Sequence, residues 1–336
     1  MSTYLFHHSA LALLVSCLLS GAAHTSSGQD LSLSETPEAS AADRLILVVG
    51  AGGTEEYAAD HAQWAEAWLK MAENNDWETK HFPASDQPQK PVLLAALAEA
   101  ASDQDRRLWV VMIGHGTASP AANKFNLVGE DISASELSRV LDKVSARTVV
   151  VGSFSASGGF LPKLSRPGRV VVTATRSANE LNYSRFGGPF AAALTAPVSD
   201  LDHDREVSLL EAYIAASAET ARYYSDNNRL ASEHAIFDDN GDQVGTPADF
   251  FVGVRTVGRA KGKQAPDGNV AGRIIISSLP GAIQLSAEQK KQRAAIEAQV
   301  DALRELKDDL PRKDYYEQLE ILMLRLAKIY KAAESR

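Results

Sequence analysis

Two uninterrupted apolar runs constrain this chain more than any other feature. Leu45-Ile46-Leu47-Val48-Val49 and Leu108-Trp109-Val110-Val111-Met112-Ile113 carry no polar residue and show no alternation. A strand wetted on one face alternates, whereas a strand covered on both faces does not. Both runs therefore predict central strands of a covered sheet. Helical patterns lie between them: Tyr57, His61, Trp64, Ala65 and Trp68 recur at helical spacing, and a Pro-bounded segment holds Leu93, Leu94 and Leu97. Thr79 to Phe82 reads as a weak strand, Ser135 to Val144 as a helix, and Thr148 to Val151 and Arg169 to Thr173 as further buried strands. Such alternation predicts an α/β fold with a parallel or mostly parallel sheet flanked by helices. Ligands of these sheets bind at the carboxyl ends of the strands, here after Ile113, Val151 and Thr173.

The rest of the chain adds helices and a break. Ser208-x-x-Glu211 is a capping box that opens a helix running to Tyr224. Gly258 to Gly272 has no periodicity and reads as a loop or linker. The C-terminus predicts a helical hairpin. Ser286-x-x-Gln289 caps a first helix with the stripe Ile296, Val300, Leu303, and Pro311 stops it. Asp314-x-x-Glu317 opens the second, with Leu319, Leu322, Met323, Leu326 and Ile329. The turn Gly50-Ala51-Gly52-Gly53 is a tight strand-to-helix turn. It is not a dinucleotide loop, because Glu55 stands where the third glycine belongs.

Composition narrows the partners. The net charge is −9, and no dense Lys/Arg block offsets it, so a nucleic-acid partner is not expected. Cys17 is the one cysteine, which excludes an internal disulfide and a cysteine-based metal site. It lies within Ala10 to Leu19, an apolar run of signal-peptide length that is too short to span a bilayer and is followed by Ser20, Gly21, Ala22 and Ala23. The expectation is export, periplasmic or secreted, with residues 1–23 as signal peptide and no membrane span in the mature chain. Leu14-Val15-Ser16-Cys17 offers the alternative of lipidation at Cys17. The expected order is then a flexible linker over 24–43, a main domain over 44–257, a linker over 258–283 and the hairpin over 284–336.

Two segments at predicted strand ends carry chemistry. One buried strand ends in Gly114-His115-Gly116-Thr117, and the next in Gly152-Ser153-Phe154-Ser155-Ala156-Ser157-Gly158-Gly159-Phe160. Together they resemble the caspase, legumain and gingipain superfamily of cysteine peptidases. In that family a buried strand ends in His-Gly, and the following one ends in an acidic-Ala-Cys-x-Ser-Gly-like block. Aligning Ser157-Gly158 with the end of that block puts Ser155 at the cysteine and Ser153 at the acidic position. Arg169-Val-Val-Val-Thr-Ala-Thr-Arg-Ser177 resembles the strand and loop that bound the family's specificity pocket. Phe186-Gly-Gly-Pro-Phe190 resembles the helix start that follows. The resemblance covers roughly Arg44 to Gly245. It implies a caspase-like three-layer α/β/α sandwich, with the C-terminal hairpin outside it. It also implies His115 as general base, the N–H groups of Gly116 and Ser155 as an oxyanion hole, and Ser155 in the nucleophile's place. Arg176 and Ser177 would line the substrate pocket, with Arg176 favouring an acidic side chain.

The serine changes the chemistry. A thiol ionises near neutral pH, but a hydroxyl needs a base oriented by a third group. No carboxylate near His115 in sequence supplies one. Three readings stay open: a hydrolase of peptide bonds using Ser155 and His115, an inactive pseudopeptidase that binds peptides or a partner protein in the same cleft, and a calcium-stabilised envelope protein in which the cleft is vestigial. The first two require no cofactor. Calcium is a further expectation. Asp200, Asp202, Asp204 and Glu211 fit positions one, three, five and twelve of a calcium loop, although Arg205 replaces the usual glycine and the capping box competes for Glu211. Asp238-Asp239-Asn240-Gly241-Asp242 reads as an acidic turn, with calcium as its alternative.

Overall fold

The computed structural model describes residues 42–85, 87–258 and 266–334. The expected signal peptide over 1–23, Cys17 with it, and nearly all of the expected linker over 24–43 lie outside the described residues.

The two apolar runs form the middle of a seven-stranded sheet. In chain order the first elements are β1 (Arg44–Val49), α1 (Glu55–Asn74), β2 (Glu78–Phe82), α2 (Gln89–Ala100) and β3 (Leu108–Gly114). A small three-stranded sheet follows, made of β4 (Gly116–Ala118), β5 (Asn123–Phe125) and β6 (Ile132–Ser133). Next come α3 (Ala134–Leu141), β7 (Thr148–Phe154), α4 (Leu161–Leu164), β8 (Arg169–Thr173) and α5 (Gly187–Ala193). The chain continues through β9 (Glu206–Ser208), α6 (Leu209–Asp226), β10 (Ile236–Asp238), β11 (Thr246–Pro247), β12 (Phe251–Val252), β13 (Arg255–Thr256) and β14 (Ile275–Ser278). It closes with α7 (Ala287–Glu305) and α8 (Arg312–Glu334).

The main sheet runs β11-β10-β8-β7-β3-β1-β2. The five strands from β8 to β2 are parallel, and β10 and β11 add an antiparallel edge. Strand alternation divides the core into two layers. Leu45, Leu47, Val49, Trp109, Val111 and Ile113 pack against Trp64 and Trp68 of α1, Phe190 of α5 and Tyr213 of α6. Ile46, Val48, Val110 and Met112 pack against Leu93 and Leu97 of α2 and Leu137 and Leu141 of α3. The architecture is therefore a three-layer α/β/α sandwich, as expected.

Boundaries differ where capping chemistry decides them. The helix expected from Ser135 begins at Ala134, because Ser133 and Glu136 form a capping box there. Part of the stretch read as linker is ordered: β14 pairs antiparallel with β9, and Ala271, Ile274 and Ile276 are buried in the main core. Four residues are too few for periodicity to stand out against their glycine-rich neighbours. The hairpin has a core of its own around Ile296, Val300, Leu303, Leu322 and Ile329, while Met323 of the expected stripe is exposed. Among the described residues no helix is long and apolar enough to cross a membrane.

Candidate functional site

Register brings the two sequence motifs together. β3 and β7 are parallel neighbours with Ile113 opposite Ser153 and Gly114 opposite Phe154, so His115 and Ser155 leave adjacent strand ends. The approach is closer than any side chain at position 116 would allow. A Cβ at Gly116 would lie 2.2 Å from the Ser155 carbonyl oxygen. Ala156 then turns the chain in the left-handed region, with φ 62°. Behind it, Ser157 and Gly158 dock on the loop after β8. Thr175 Oγ1 accepts from the Gly158 amide at 2.8 Å, and Ser157 Oγ accepts from the Thr175 amide at 3.2 Å. A Cβ at Gly158 would sit 2.3 Å from the Ser177 nitrogen, which accounts for the Ser-Gly pair in backbone terms.

The corner differs from the expected dyad in its hydrogen bonds. Ser155 is 2% exposed. Its Oγ accepts from the Gly116 amide at 3.1 Å and donates to the Gly116 carbonyl at 3.3 Å. The Gly116 N–H expected in the oxyanion hole is thus already engaged by the nucleophile-position hydroxyl. A short hydroxyl beside a backbone pinched by glycine finds both partners locally, and His115 is not one of them. His115 Nε2 instead lies 3.0 Å from the Gly52 carbonyl oxygen. A carbonyl only accepts, so this contact places the proton on Nε2 and leaves Nδ1 as the basic nitrogen. The group that orients the imidazole is therefore no carboxylate but a backbone carbonyl of the Gly50–Gly53 turn. No local pattern announces a carbonyl, although the glycines that open this turn are visible in the sequence.

An aromatic wall backs His115. Tyr57, His61 and Tyr183 have ring centroids 5.5, 5.2 and 5.9 Å from the imidazole. Tyr183 stacks on Tyr57 at 4.0 Å and donates its hydroxyl to Asp60 at 2.8 Å. Burial, then the bond to Asp60, pushes its phenol up. His61 is 0% exposed, and neither ring nitrogen has a hydrogen-bond partner. Burial, followed by the charge of neighbouring His115, lowers its pKa to about 4, so it is neutral near pH 7. The helical spacing puts Tyr57 and His61 on this helix but assigns them no role. The available signal is a histidine within the apolar stripe.

The residues expected at the substrate pocket have partners within the chain. Arg176 is exposed, and its Nε pairs with Glu180 at 3.1 Å, so its guanidinium already has an acidic partner. The same Glu180 lies 2.7 Å from His234 Nδ1, and its carbonyl accepts from the Ala156 amide at 2.8 Å. Ser177 contributes backbone: its carbonyl accepts from Thr175 Oγ1 at 3.1 Å. Ser153 is buried on the α5 side with an unpartnered Oγ, and Ser157 is committed to Thr175, so neither faces the corner as a second nucleophile.

The acidic segments resolve differently. Asp200, Asp202 and Asp204 each bring a carboxylate oxygen within 4.8 Å of the other two. Glu211, expected as the fourth ligand, is not among them. Its Oε2 accepts from the Ser208 amide and hydroxyl, both at 2.8 Å, and its Oε1 accepts from the Leu201 amide at 2.8 Å. The capping box outcompetes ligation because four local donors satisfy the carboxylate. The second segment is an acidic turn. Asp238 accepts from the Gly241 and Gln243 amides and from Ser165 Oγ, and Asp239 accepts from the Gly268, Val270 and Ala271 amides.

No family model matches the chain, and no curated protein matches it. Among solved structures it is similar to the Drosophila initiator caspase Dronc, with 12% identity and a TM-score of 0.41 over 59% of this chain and 80% of that one. It is also similar to caspase-1 from Spodoptera frugiperda, with 11% identity and a TM-score of 0.41 over 61% of this chain and 88% of that one.

Proposed function

We propose that this chain is an exported homologue of caspase/legumain-type peptidases that binds peptides at the His115–Ser155 corner without hydrolysing them. The family part rests on the ordered His-Gly and Ser-x-Ser-Gly segments at neighbouring parallel strand ends. The export part rests on the N-terminal apolar run. One observation carries the non-hydrolytic part: Ser155 Oγ is buried and bonded to the Gly116 amide and carbonyl, and His115 is not among its partners. A hydroxyl becomes a nucleophile when a base accepts its proton, and here the acceptor is a carbonyl that cannot act as a base at neutral pH. The N–H that would stabilise an oxyanion is occupied by the same hydroxyl. The Gly52 contact favours a second reading: with Nε2 held there, Nδ1 stays basic and accepts the Ser155 proton when peptide displaces that hydroxyl from Gly116.

The two readings separate with purified protein lacking residues 1–23, a fluorogenic peptide library, and the variants Ser155→Ala and Ser155→Cys. The proposal expects saturable peptide binding by fluorescence anisotropy and turnover no greater than that of Ser155→Ala. Hydrolysis gained by Ser155→Cys would support it, since a thiolate needs less help than a hydroxyl. Cleavage by the native chain that disappears in Ser155→Ala would overturn it, as would absence of binding across the library.

A further inference from the structure

The carboxylates of the acidic turn and of the acidic loop stand in contrast. Every oxygen of Asp238, Asp239 and Asp267 receives a donor, including Thr246 Oγ1 on Asp267 at 2.5 Å. Asp200 is also buried, at 8% exposure, yet only one of its oxygens is satisfied. Oδ2 accepts from the Arg205 amide at 3.0 Å; Oδ1 is sealed from water and has no hydrogen-bond partner. A buried carboxylate oxygen without a donor is costly and calls for a cation. Among the described residues no cationic side chain pairs with Asp200, Asp202 or Asp204. The nearest arginine in sequence, Arg205, sends Nη1 to the Gly281 carbonyl at 3.1 Å instead.

We propose that Asp200, Asp202 and Asp204 bind a calcium ion, which clamps the loop between α5 and β9 where β9 pairs with the C-terminal segment. The donor set selects the ion: three carboxylate oxygens lie within 4.8 Å of one another, and three carboxylates are a number that a calcium shell accommodates and that hydrated magnesium seldom uses. The loop is already folded to receive an ion. Asp202 accepts from the Asp204 amide, Asp204 from the Glu206 amide, and His203 and Arg205 take φ of 64° and 68°. With Glu211 committed to its cap, three carboxylates remain, so the affinity belongs to the weak range of roughly 10⁻⁴–10⁻³ M. The consequence is structural. Immediately after the loop, β9 pairs with β14, the Arg205 carbonyl accepts from the Leu279 amide at 2.8 Å, and Glu206 pairs with Arg293 of α7 at 2.5 Å.

The test uses the full mature chain after chelator treatment, titrated with calcium chloride by isothermal calorimetry. One saturable site in that range is expected, weakened about tenfold or more by Asp204→Asn and unchanged by Asp242→Asn in the other acidic turn. Calcium should also slow hydrogen exchange of the Ile275 to Leu279 amides. No saturation up to about 10 mM, or equal binding by Asp202→Asn/Asp204→Asn, overturns the site. Equal competition by magnesium overturns the assignment to calcium, and unchanged exchange at Ile275 to Leu279 overturns the clamp.

Discussion

At the strand-end corner, Ser155 Oγ gives and receives a hydrogen bond with Gly116, and His115 rests on Gly52. In the acidic loop, Asp200 Oδ1 is equally buried and has nothing to accept from. Both regions gather reactive groups, and reactive groups alone do not distinguish them. What differs is whether the protein itself has satisfied them. At the corner the Ser155 hydroxyl is satisfied from within and therefore quiet; in the loop one buried Asp200 oxygen is left without a donor.

The largest effect should come from the inner side of that loop. Glu206 and Arg293 form a buried ion pair, with side chains 9% and 8% exposed. Arg293→Met leaves Glu206 buried without its partner and should cost about 3–5 kcal/mol in urea unfolding. Replacing both, as Glu206→Leu/Arg293→Met, should recover most of that loss, because the penalty lies in the uncompensated charge. A single-variant loss under about 1 kcal/mol would mean that water reaches Glu206, and the contrast between a paired Glu206 and an unpaired Asp200 oxygen would fail.

The corner has its own orphan, and it sharpens the comparison. His61 is buried behind His115 with both nitrogens unpartnered. An imidazole can shed its charge, so its burial costs less than that of a carboxylate. The consequence is a pH dependence with a definite sign. Folding lowers the His61 pKa from 6.5 to about 4, so the unfolded chain binds more protons between these values. Stability from this group is fully present above pH 6.5 and falls as acidification proceeds from 6.5 towards 4. Between pH 7 and pH 4.5 the loss should be about 2–3 kcal/mol in excess of that of His61→Phe, measured by urea unfolding at both pH values. Equal losses in the two proteins would show that His61 has a partner and that the corner has no orphan.

How much of this was legible in the sequence follows from how local each cause is. The central strands were plain because burial on both faces removes every polar residue from Leu45–Val49 and Leu108–Ile113. The meeting of His115 and Ser155 was legible because parallel strands present their ends side by side. The partners of Ser155 were not, since they depend on how closely Gly116 approaches the next strand, a tertiary distance. Gly52 was hidden because a backbone carbonyl has no sequence signature. The capping box at Ser208 and Glu211 was legible as a local motif, and its victory over calcium ligation at Glu211 depended on counting donors that only the folded loop brings together. The strand Ile275–Ser278 was missed because its pairing partner, β9, lies far back in the chain.

The smallest expected effect tests the quiet side of the comparison. Ser155→Ala removes an acceptor from the buried Gly116 amide and a donor from its carbonyl. If the hydroxyl is anchored there, the amide loses a partner that water cannot replace, and stability should fall by about 1–2 kcal/mol. Ser157→Ala is the internal standard, because its hydroxyl accepts from the Thr175 amide in a comparably buried turn, and it should cost a similar amount. A loss for Ser157→Ala with none for Ser155→Ala would break the comparison. It would mean that the Ser155 hydroxyl is not held by Gly116 and is free to turn towards His115. The corner would then be incomplete in the same sense as the acidic loop, with a group whose partner arrives with the ligand.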